Sequence, residues 1–167
     1  MPLAAVEPLS ARHRLEGFDC GKHGLNDWLQ RYALASHQHG GSRVFVACEG
    51  DDVMGYYALA TGAVAFRNAP AELQERLSAH YPVSVLILTR LAVDRRVQGL
   101  RVGESLLLDA LLRSLAVSRE AGAKALVVHA LDEAARGFYE RYRFARFPGE
   151  PLHLFMTMAN IEASLAG

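Results

Sequence analysis

The residues best suited to chemistry lie between Leu86 and Leu115. A run of β-forming apolar residues, Leu86–Val93, ends at Asp94 and leads into a short polar turn, Gln98–Gly103, which opens a Leu-rich helix. A buried strand followed by a glycine-containing turn at a helix start directs several backbone N–H groups at one point, with the positive end of the helix behind them. Such a point suits a phosphate or a pyrophosphate. An ordinary strand-to-helix connection is the alternative interpretation of the same pattern.

A second group of candidates lies further along the chain. Tyr139 carries a phenol whose ordinary pKa near 10 keeps it protonated at neutral pH, so it can donate a proton. Phe138, Tyr139 and Tyr142 also have helical spacing, and a core aromatic is the ordinary interpretation of such a tyrosine. His129 ends an apolar strand, where a structural role is more common than catalysis. We leave it out of the catalytic set, and no other general base is evident.

Several elements in the first half of the chain would position these residues. Leu25, Trp28, Leu29, Tyr32 and Ala33 have the spacing of one apolar helix face. Alternation and turn residues predict two strands joined by a hairpin turn at Gly50–Asp52. The complete prediction is an edge strand at Pro2–Leu9, a helix at Leu25–Ser36, strands at Arg43–Glu49 and Val53–Ala65, and a short Pro-initiated helix at Pro70–His80.

The second half predicts alternating strands and helices. A helix from about Arg101 to Ala121 presents one broad apolar face, formed by Leu107, Leu108, Leu111, Leu112 and Leu115. The remaining elements are a central strand at Ala125–Ala130, a helix capped by Asp132 and ending at Tyr142, and final strands at Phe144–Phe147 and Leu152–Met158 around the turn Pro148–Pro151. This order predicts an α/β fold built on one mixed sheet.

The composition of this 167-residue chain limits the classes of function. Its 18 basic and 18 acidic residues give a formal charge of zero, so no global attraction to nucleic acid or membrane is expected. No stretch approaches the ~20 apolar residues of a membrane span, and the N-terminus lacks a secretion signal. Cys20 and Cys48 lack metal-ligand spacing, and we expect no metal. We expect one domain over residues 1–167, located in the cytoplasm.

The element order and the turn at residues 98–103 resemble the GNAT superfamily of N-acetyltransferases. In that family a turn of the form Gln/Arg-x-x-Gly-x-Gly/Ala binds the pyrophosphate of acetyl-CoA at a helix N-terminus. Gln98 and Gly103 match this turn, Gly99 adds backbone freedom, and Arg101 replaces the middle glycine. The resemblance implies a GNAT-like acyl-CoA N-acyltransferase fold, with a central mixed sheet and helices on both faces.

A second motif carries the same resemblance. The segment from Asp132 to Phe144 is similar to the family's "A…FYE…GF" helix, in which the tyrosine protonates the departing CoA thiolate. The matching tyrosine is Tyr139, so the resemblance implies that it is the general acid. Arg143 stands where the family has a glycine before Phe144, and we therefore expect the helix to end without the left-handed C-cap that this glycine provides.

The resemblance also implies a set of donor-binding residues. Main-chain groups of the strand Leu91–Val93 would pair with the pantetheine amides of acetyl-CoA, as a strand added to a sheet does. The alternative interpretation is that Leu91–Val93 form an ordinary core strand with no role in binding. Acetyl-CoA is the implied cosubstrate. The implied contacts with it are Leu91, Ala92, Val93, Gln98, Gly99, Leu100, Arg101, Val102, Gly103 and Phe138.

Arg101 leaves two interpretations of the turn. An arginine in helical φ/ψ there could bind a phosphate through its guanidinium, or it could narrow the site and weaken donor binding. Acetyl-CoA binding by Arg101→Gly distinguishes the two, because weaker binding indicates participation and tighter binding indicates obstruction. We favour participation.

Shorter fragments from residue 18 to about residue 158 resemble the acetyltransferase toxins of bacterial toxin–antitoxin modules, which acetylate aminoacyl-tRNA. They include Phe18–Gly21, Leu25–Leu29, Gly55–Ala60, Arg90–Asp94, Leu107–Arg113 and Val128–Leu131. The resemblance implies a tRNA substrate, a ribbon-helix-helix antitoxin as partner and a homodimer. It implies a toxin that blocks translation by acetylating charged tRNA.

Two arginine clusters agree with an RNA substrate. Arg90, Arg95, Arg96 and Arg101 stand against the single acid Asp94, and Arg136, Arg141, Arg143 and Arg146 stand against Glu140. A basic rim on a neutral protein suits tRNA, and we assign substrate binding to Arg90, Arg95 and Arg96. CoA phosphates or surface ion pairs are the alternative partners of these arginines.

Other functions stay open at this point. The acceptor could be a small-molecule amine, an antibiotic or a protein N-terminus, and the protein could be a weak acyl-CoA-binding module with little catalysis. The sequence does not identify the acceptor, because acceptor choice depends on loop shape.

Overall fold

The computed structural model describes residues 5–166. Its strands are β1 (Glu7–Pro8), β2 (Arg43–Glu49), β3 (Asp52–Val64), β4 (Val83–Val93), β5 (Ala125–His129), β6 (Ala145–Phe147) and β7 (Glu150–Thr157). They form a seven-stranded mixed sheet in the order β1-β2-β3-β4-β5-β7-β6. β4 and β5 are parallel, whereas β1–β2, β2–β3, β5–β7 and β6–β7 are antiparallel. The predicted mixed sheet is confirmed.

Six α-helices accompany the sheet in the described chain, along with short 3-10 turns at Phe66–Asn68 and Arg95–Val97. The α-helices are α1 (His23–Arg31), α2 (Ala33–His39), α3 (Ala71–Gln74), α4 (Val102–Glu120), α5 (Glu133–Arg141) and α6 (Met158–Ala166). The described residues form two compact units, residues 5–60 with 89–110 and residues 61–88 with 111–166. No helix in the described part of the chain combines the length and the apolar character that a membrane span requires.

The core of the first unit is built around Tyr56. Its ring packs edge-on against Phe18, with ring centroids 5.5 Å apart, and stacks on Trp28 at 6.0 Å. Its hydroxyl donates to the carbonyl of Leu25 at 2.7 Å, which ties β3 to α1. The other buried members of this core are Leu9, Leu29, Ala33, Val44, Val46, Cys48, Val53, Ala58 and Ala92.

The single helix predicted at Leu25–Ser36 is wrong. The chain forms α1 and α2 with a break at Tyr32, whose φ and ψ of −120° and −24° lie outside helical geometry. The break turns Tyr32 outward, so it is exposed although its spacing predicted a buried position. The edge strand predicted at Pro2–Leu9 is shorter, with β1 limited to two residues, and Pro2–Ala4 lie outside the described residues.

The second unit has its own apolar core. Its buried members are Ala69, Leu73, Val83, Val85, Ala125, Val127, Phe147 and Phe155. The helix predicted at Pro70–His80 begins after Pro70 as expected but ends at Gln74. It cannot continue because Glu75 is extended and Arg76 has a φ of 62°.

The apolar face predicted for α4 is partly wrong. Leu107, Leu111 and Leu115 are buried as predicted, whereas Leu108 and Leu112 are about half exposed. Leu106, Ala110 and Ser114 occupy the buried positions instead. Two predicted final strands correspond to β6 and β7, and α6 follows them without having been predicted.

Candidate active site

The proposed donor strand ends in the first unit. Leu91, Ala92 and Val93 are the last residues of β4, as predicted, and Ala92 is buried beside Tyr56 in the core. Gly55 of β3 lies close to α4, because a Cβ there would be 2.9 Å from Leu106 Cδ1 and 3.2 Å from Val102 Cγ1. A larger residue there would require the side chains of Leu106 and Val102 to shift.

Asp94 is the main residue that the sequence analysis missed. It is 1% exposed, and its carboxylate accepts hydrogen bonds from the main-chain N–H, Nε and Nη2 of Arg96, each at 2.9 Å, and from the N–H of Asp19 at 3.0 Å. Burial alone would raise the pKa of Asp94, but these hydrogen bonds outweigh it and hold the pKa at about 2. The available signal was an aspartate directly after a strand, two residues before an arginine.

The connection between β4 and α4 is tied to the segment around Asp19. The N–H of Arg95 donates to the carbonyl of Asp19 at 2.9 Å. The side-chain amide of Gln98 donates to the carbonyls of Val93 at 2.9 Å and Cys20 at 3.2 Å. The side chain of Gln98 therefore stabilises the turn. Any contact of Gln98 with acetyl-CoA would have to come from its main chain.

The predicted turn at residues 98–103 forms, and two of its residues are left-handed. Gly99 has a φ of 82° and Arg101 has a φ of 64°. The expectation that Arg101 adopts helical φ/ψ is wrong, because a left-handed residue is needed to redirect the chain into α4. The first main-chain bond of the helix runs from the N–H of Ser105 to the carbonyl of Arg101 at 3.1 Å. Helix geometry therefore leaves the N–H groups of Val102, Gly103 and Glu104 without a helical acceptor.

Because Arg101 is left-handed, two substitutions can distinguish the effect of its backbone on acetyl-CoA binding from the effect of its side chain. Arg101→Ala removes the guanidinium but keeps a Cβ in the left-handed conformation, whereas Arg101→Gly also removes the conformational cost. We expect Arg101→Ala to weaken acetyl-CoA binding about tenfold, as the loss of a charge-assisted hydrogen bond implies. Isothermal titration of both variants checks this, and unchanged or tighter binding by Arg101→Ala would show that the side chain obstructs the turn.

Tyr139 lies in the second unit, on α5. The helix begins at the predicted cap, where the Asp132 carboxylate accepts from the N–H of Ala135 at 2.9 Å. Tyr139 is 5% exposed and packs edge-on against Phe138 and Phe144, with ring centroids 5.2 and 5.5 Å apart. Burial raises the pKa of Tyr139 well above its ordinary value of 10, so the phenol keeps its proton at physiological pH.

The expected absence of a left-handed cap after α5 is wrong, because Arg143 supplies one. Arg143 has a φ of 73°, its N–H donates to the carbonyl of Glu140 at 3.0 Å, and the N–H of Phe144 donates to the carbonyl of Tyr139 at 3.2 Å. These two bonds form a Schellman motif, which also brings the ring of Phe144 onto Tyr139. The cap therefore fixes the backbone and one ring contact of the candidate acid.

Arg143 occupies this position at a conformational cost. We expect Arg143→Gly to raise the free energy of unfolding by about 1 kcal/mol, because glycine adopts the left-handed conformation without a Cβ clash. Urea denaturation checks this. Arg143→Ala is the matched control, since it removes the guanidinium but keeps the Cβ, and equal stability of the two variants would contradict the backbone explanation.

The arginines predicted to bind substrate have different surroundings. The guanidinium of Arg96 is held by Asp94, and that of Arg95 lies 3.9 Å from the Asp19 carboxylate with most of its side chain exposed. Arg90 lies over the ring of Trp28, with Cζ 4.1 Å from the centroid. Substitution of Arg95 is therefore the cleaner test of substrate binding, since substitution of Arg96 would also disturb Asp94.

The arginines of the second unit are partly paired. Arg146 contacts the Glu140 carboxylate at 2.9 Å and Arg136 contacts it at 3.4 Å, while Arg141 lies over the ring of Phe138 at 5.9 Å. Surface ion pairs, the alternative that the sequence left open, therefore account for Arg136 and Arg146.

His129 has the structural surroundings that its sequence context indicated. Its ring stacks on that of His153 across the β5–β7 pair, with centroids 4.0 Å apart. Burial and the neighbouring His153 lower the pKa of His129, which favours the neutral ring.

One cluster of metal-type side chains appears within residues 5–166. Glu7, His13 and Cys48 place their ligand atoms within 4.8 Å of one another, although their sequence spacing gave no such signal. The N–H of Ser10 donates to His13 Nδ1 at 2.9 Å, so Nε2 carries the ring proton and donates it to Glu7 at 2.7 Å. In this arrangement the histidine offers no lone pair to a metal.

Comparisons with known proteins agree on one family. Residues 40–146 match the acetyltransferase (GNAT) domain. A tRNA-acetylating toxin of Mycobacterium tuberculosis is 41% identical over 160 residues, which cover 96% of this chain and 95% of that protein. The structure of AtaT complexed with acetyl-methionyl-tRNAfMet has a TM-score of 0.89 at 29% identity, covering 98% of this chain and 99% of that chain.

A further solved structure is similar. It is a Tyr-to-Phe mutant of the AtaT toxin bound to the C-terminus of the antitoxin AtaR and to acetyl-CoA, with a TM-score of 0.85 at 28% identity and coverage of 100% of both chains.

Proposed function

The chain belongs to the GNAT family of acetyltransferases, and from that premise we propose that it transfers the acetyl group of acetyl-CoA to the amino group of aminoacyl-tRNA. The observation that carries the proposal is the 41% identity to a tRNA-acetylating toxin across 95% of that protein. Acetylation removes the free amine that peptide-bond formation requires. The protein would therefore act as a toxin that blocks translation.

In this proposal, acetyl-CoA binds at the end of β4 and the start of α4. The N–H groups of the turn at residues 98–103 and of the first turn of α4 bind the pyrophosphate, with the helix dipole favouring the negative charge. The left-handed Gly99 and Arg101 support this role, because they direct the turn into the helix. Main-chain groups of Leu91–Val93 pair with the pantetheine amides, and Phe138 adds an apolar contact.

The chemistry is acyl transfer from sulfur to nitrogen. The neutral amine attacks the thioester carbonyl carbon, and a C–N bond forms as the carbonyl electrons move to oxygen. The tetrahedral intermediate then collapses, the C–S bond breaks, and its electron pair leaves on sulfur. Tyr139 donates its proton to this sulfur, and the attacking nitrogen loses one proton to water. The raised pKa of the buried phenol keeps Tyr139 protonated at physiological pH, so its O–H is available to donate to sulfur as the C–S bond breaks. A proton from water then restores the phenol.

A structure of a similar toxin with its antitoxin supports a proposal about partners. The AtaT structure includes the C-terminus of the antitoxin AtaR, and we propose a ribbon-helix-helix antitoxin and a second copy of the chain as partners of this protein. Aminoacyl-tRNA is a cytoplasmic substrate, so we assign the activity to the cytoplasm. Arg95 and the other exposed basic side chains would contact the tRNA backbone.

A thiol-release assay tests the proposal. Release of CoA should be stimulated by charged tRNA and not by the same tRNA after mild alkaline deacylation, which removes the amine but keeps the RNA. Stimulation by free amines or peptides alone would favour another acceptor, and acetyl-CoA binding without thiol release would indicate a binding module. Expression in a bacterium should also arrest growth.

A further inference from the structure

Arg90 and Trp28 form a rigid pair in the first unit. The guanidinium carbon of Arg90 lies 4.1 Å from the centroid of the Trp28 ring. The indole also stacks on Tyr56 at an interplanar angle of 13°, and the Tyr56 hydroxyl is held by the carbonyl of Leu25 at 2.7 Å. The cation is therefore supported by an aromatic stack that is itself fixed by a hydrogen bond.

Arg90 is a half-buried cation without an anion. Within residues 5–166 its guanidinium makes no hydrogen bond and no ion pair, and burial lowers its pKa. Two carboxylates of the same unit pair with other arginines, since Asp27 pairs with Arg31 at 2.8 Å and Asp94 pairs with Arg96 at 2.9 Å. A partly desolvated charge without a counter-charge is unfavourable, so this position suits an anionic ligand.

The pyrophosphate turn is too far along the strand to supply that anion. Arg90 precedes Asp94 by four residues of extended chain, which span ~13 Å at the rise of a β-strand. The turn at residues 98–103 follows beyond Asp94. If acetyl-CoA binds as proposed, Leu91–Val93 separate Arg90 from the pyrophosphate turn, which would place Arg90 at the end of the donor site where the thioester meets the acceptor.

We propose that Arg90 binds a phosphate near the charged end of the acceptor RNA and that Trp28 is its positioning residue. The inference rests on the proposed function. A planar guanidinium binds a phosphate through two parallel N–H donors, and an aromatic face behind it holds the plane in one orientation. The contact positions the RNA without reading its sequence.

Arg90→Gln tests the contact. Binding of charged tRNA is measured by filter binding across a KCl series from about 50 to 200 mM, and acetyl-CoA binding is measured by isothermal titration. We expect the tRNA affinity to fall about tenfold and the slope of log K against log salt to shrink by about 0.7–0.9, the value for one phosphate. The affinity for acetyl-CoA should not change, which also reports that the variant is folded.

Two further variants sharpen the result. Arg31→Gln is the matched control, because it removes the same charge from an exposed residue of α1 that is paired with Asp27, and its slope should equal that of the unmodified protein. Arg90→Lys keeps the charge and loses the planar fork, so we expect the slope to be retained with a smaller loss of affinity.

Trp28→Leu tests the positioning role. We expect it to weaken tRNA binding when Arg90 is present and to have no further effect in the Arg90→Gln background, since the indole acts through the guanidinium. A purely structural tryptophan would weaken both backgrounds equally, and that result would overturn its assignment.

The remaining outcomes separate this inference from the proposed function. If the unmodified protein and Arg90→Gln bind tRNA with the same slope, Arg90 does not contact a phosphate and the inference alone fails. If Arg90→Gln loses acetyl-CoA affinity instead, the phosphate belongs to the donor and the inference again fails. If the unmodified protein binds acetyl-CoA but no tRNA, both fail.

Discussion

Tyr139→Phe is expected to reduce kcat at least tenfold while leaving the fold and acetyl-CoA binding intact. The substitution removes only the hydroxyl, so the ring keeps its contacts with Phe138 and Phe144. A positioned general acid contributes ~10²–10⁴ in rate, and water can replace it in part. Turnover is measured by thiol release with charged tRNA, acetyl-CoA binding by titration, and folding by the urea midpoint.

A matched control is available on the same helix terminus. Tyr142→Phe removes a hydroxyl from the C-cap residue of α5, three positions away, and should leave kcat unchanged. Because burial holds the pKa of Tyr139 far above 10, no loss of rate from its ionisation is expected below about pH 10. Unchanged turnover in Tyr139→Phe would remove this residue from the mechanism.

Asp94→Asn is expected to lower the free energy of unfolding by about 2 kcal/mol at neutral pH. The native pKa of about 2 lies below the ordinary 3.8, so the carboxylate stabilises the fold at every pH above about 4. This stabilisation is lost as the pH falls from 3.8 through 2, because the unfolded state, in which the carboxyl has the higher pKa, takes up the proton before the folded state does. Urea denaturation at several pH values should show the two proteins converging in that window.

The same substitution should weaken acetyl-CoA binding, since Asp94 ties the start of the turn to Asp19 and Arg96. Asp52→Asn is the control, because Asp52 forms an ion pair with Arg14 at 2.7 Å in which both side chains are more than half exposed. Such an exposed pair is screened by solvent and contributes little to stability. Equal losses in the two variants, or a gap that persists at pH 2, would contradict the role assigned to Asp94.

Local patterns predicted the elements that carry the site. The strand before Asp94, the turn at residues 98–103 and the capped helix from Asp132 all depend on short-range signals: an apolar run, glycines and an N-cap aspartate. Each of these elements forms within one or two residues of its predicted bounds, except that β4 begins three residues earlier, at Val83. Family motifs then supplied roles that the spacing of Phe138 and Tyr139 could not.

Long-range contacts explain most of the differences. Leu108 and Leu112 have helical spacing with the buried leucines, yet the buried face of α4 contains Leu106 and Ala110 instead, with Leu106 close to Gly55 of β3. Tyr32 has the spacing of a residue on the apolar face of one continuous helix, but the helix is interrupted at Tyr32 and its side chain is exposed. No local pattern indicates which of two adjacent apolar faces the sheet covers.

The left-handed backbone conformation of two arginines could not be predicted from local sequence patterns, for a different reason. Arg101 and Arg143 both stand where the family has glycine, and a non-glycine residue there was expected to change the backbone. In the structure both arginines adopt the left-handed conformation at its conformational cost, and the Schellman bonds at Arg143 and the start of α4 after Arg101 accompany it. Asp94 was missed because its four donors come partly from a segment 75 residues earlier.

The most direct test follows radiolabelled acetyl-CoA in the presence of the protein and total charged tRNA. We expect the label to move to tRNA, to be released with the amino acid by mild alkali, and then to be recovered as N-acetyl amino acid. Label that stays in acetyl-CoA, or that appears on protein or on the RNA chain itself, would contradict the proposed function.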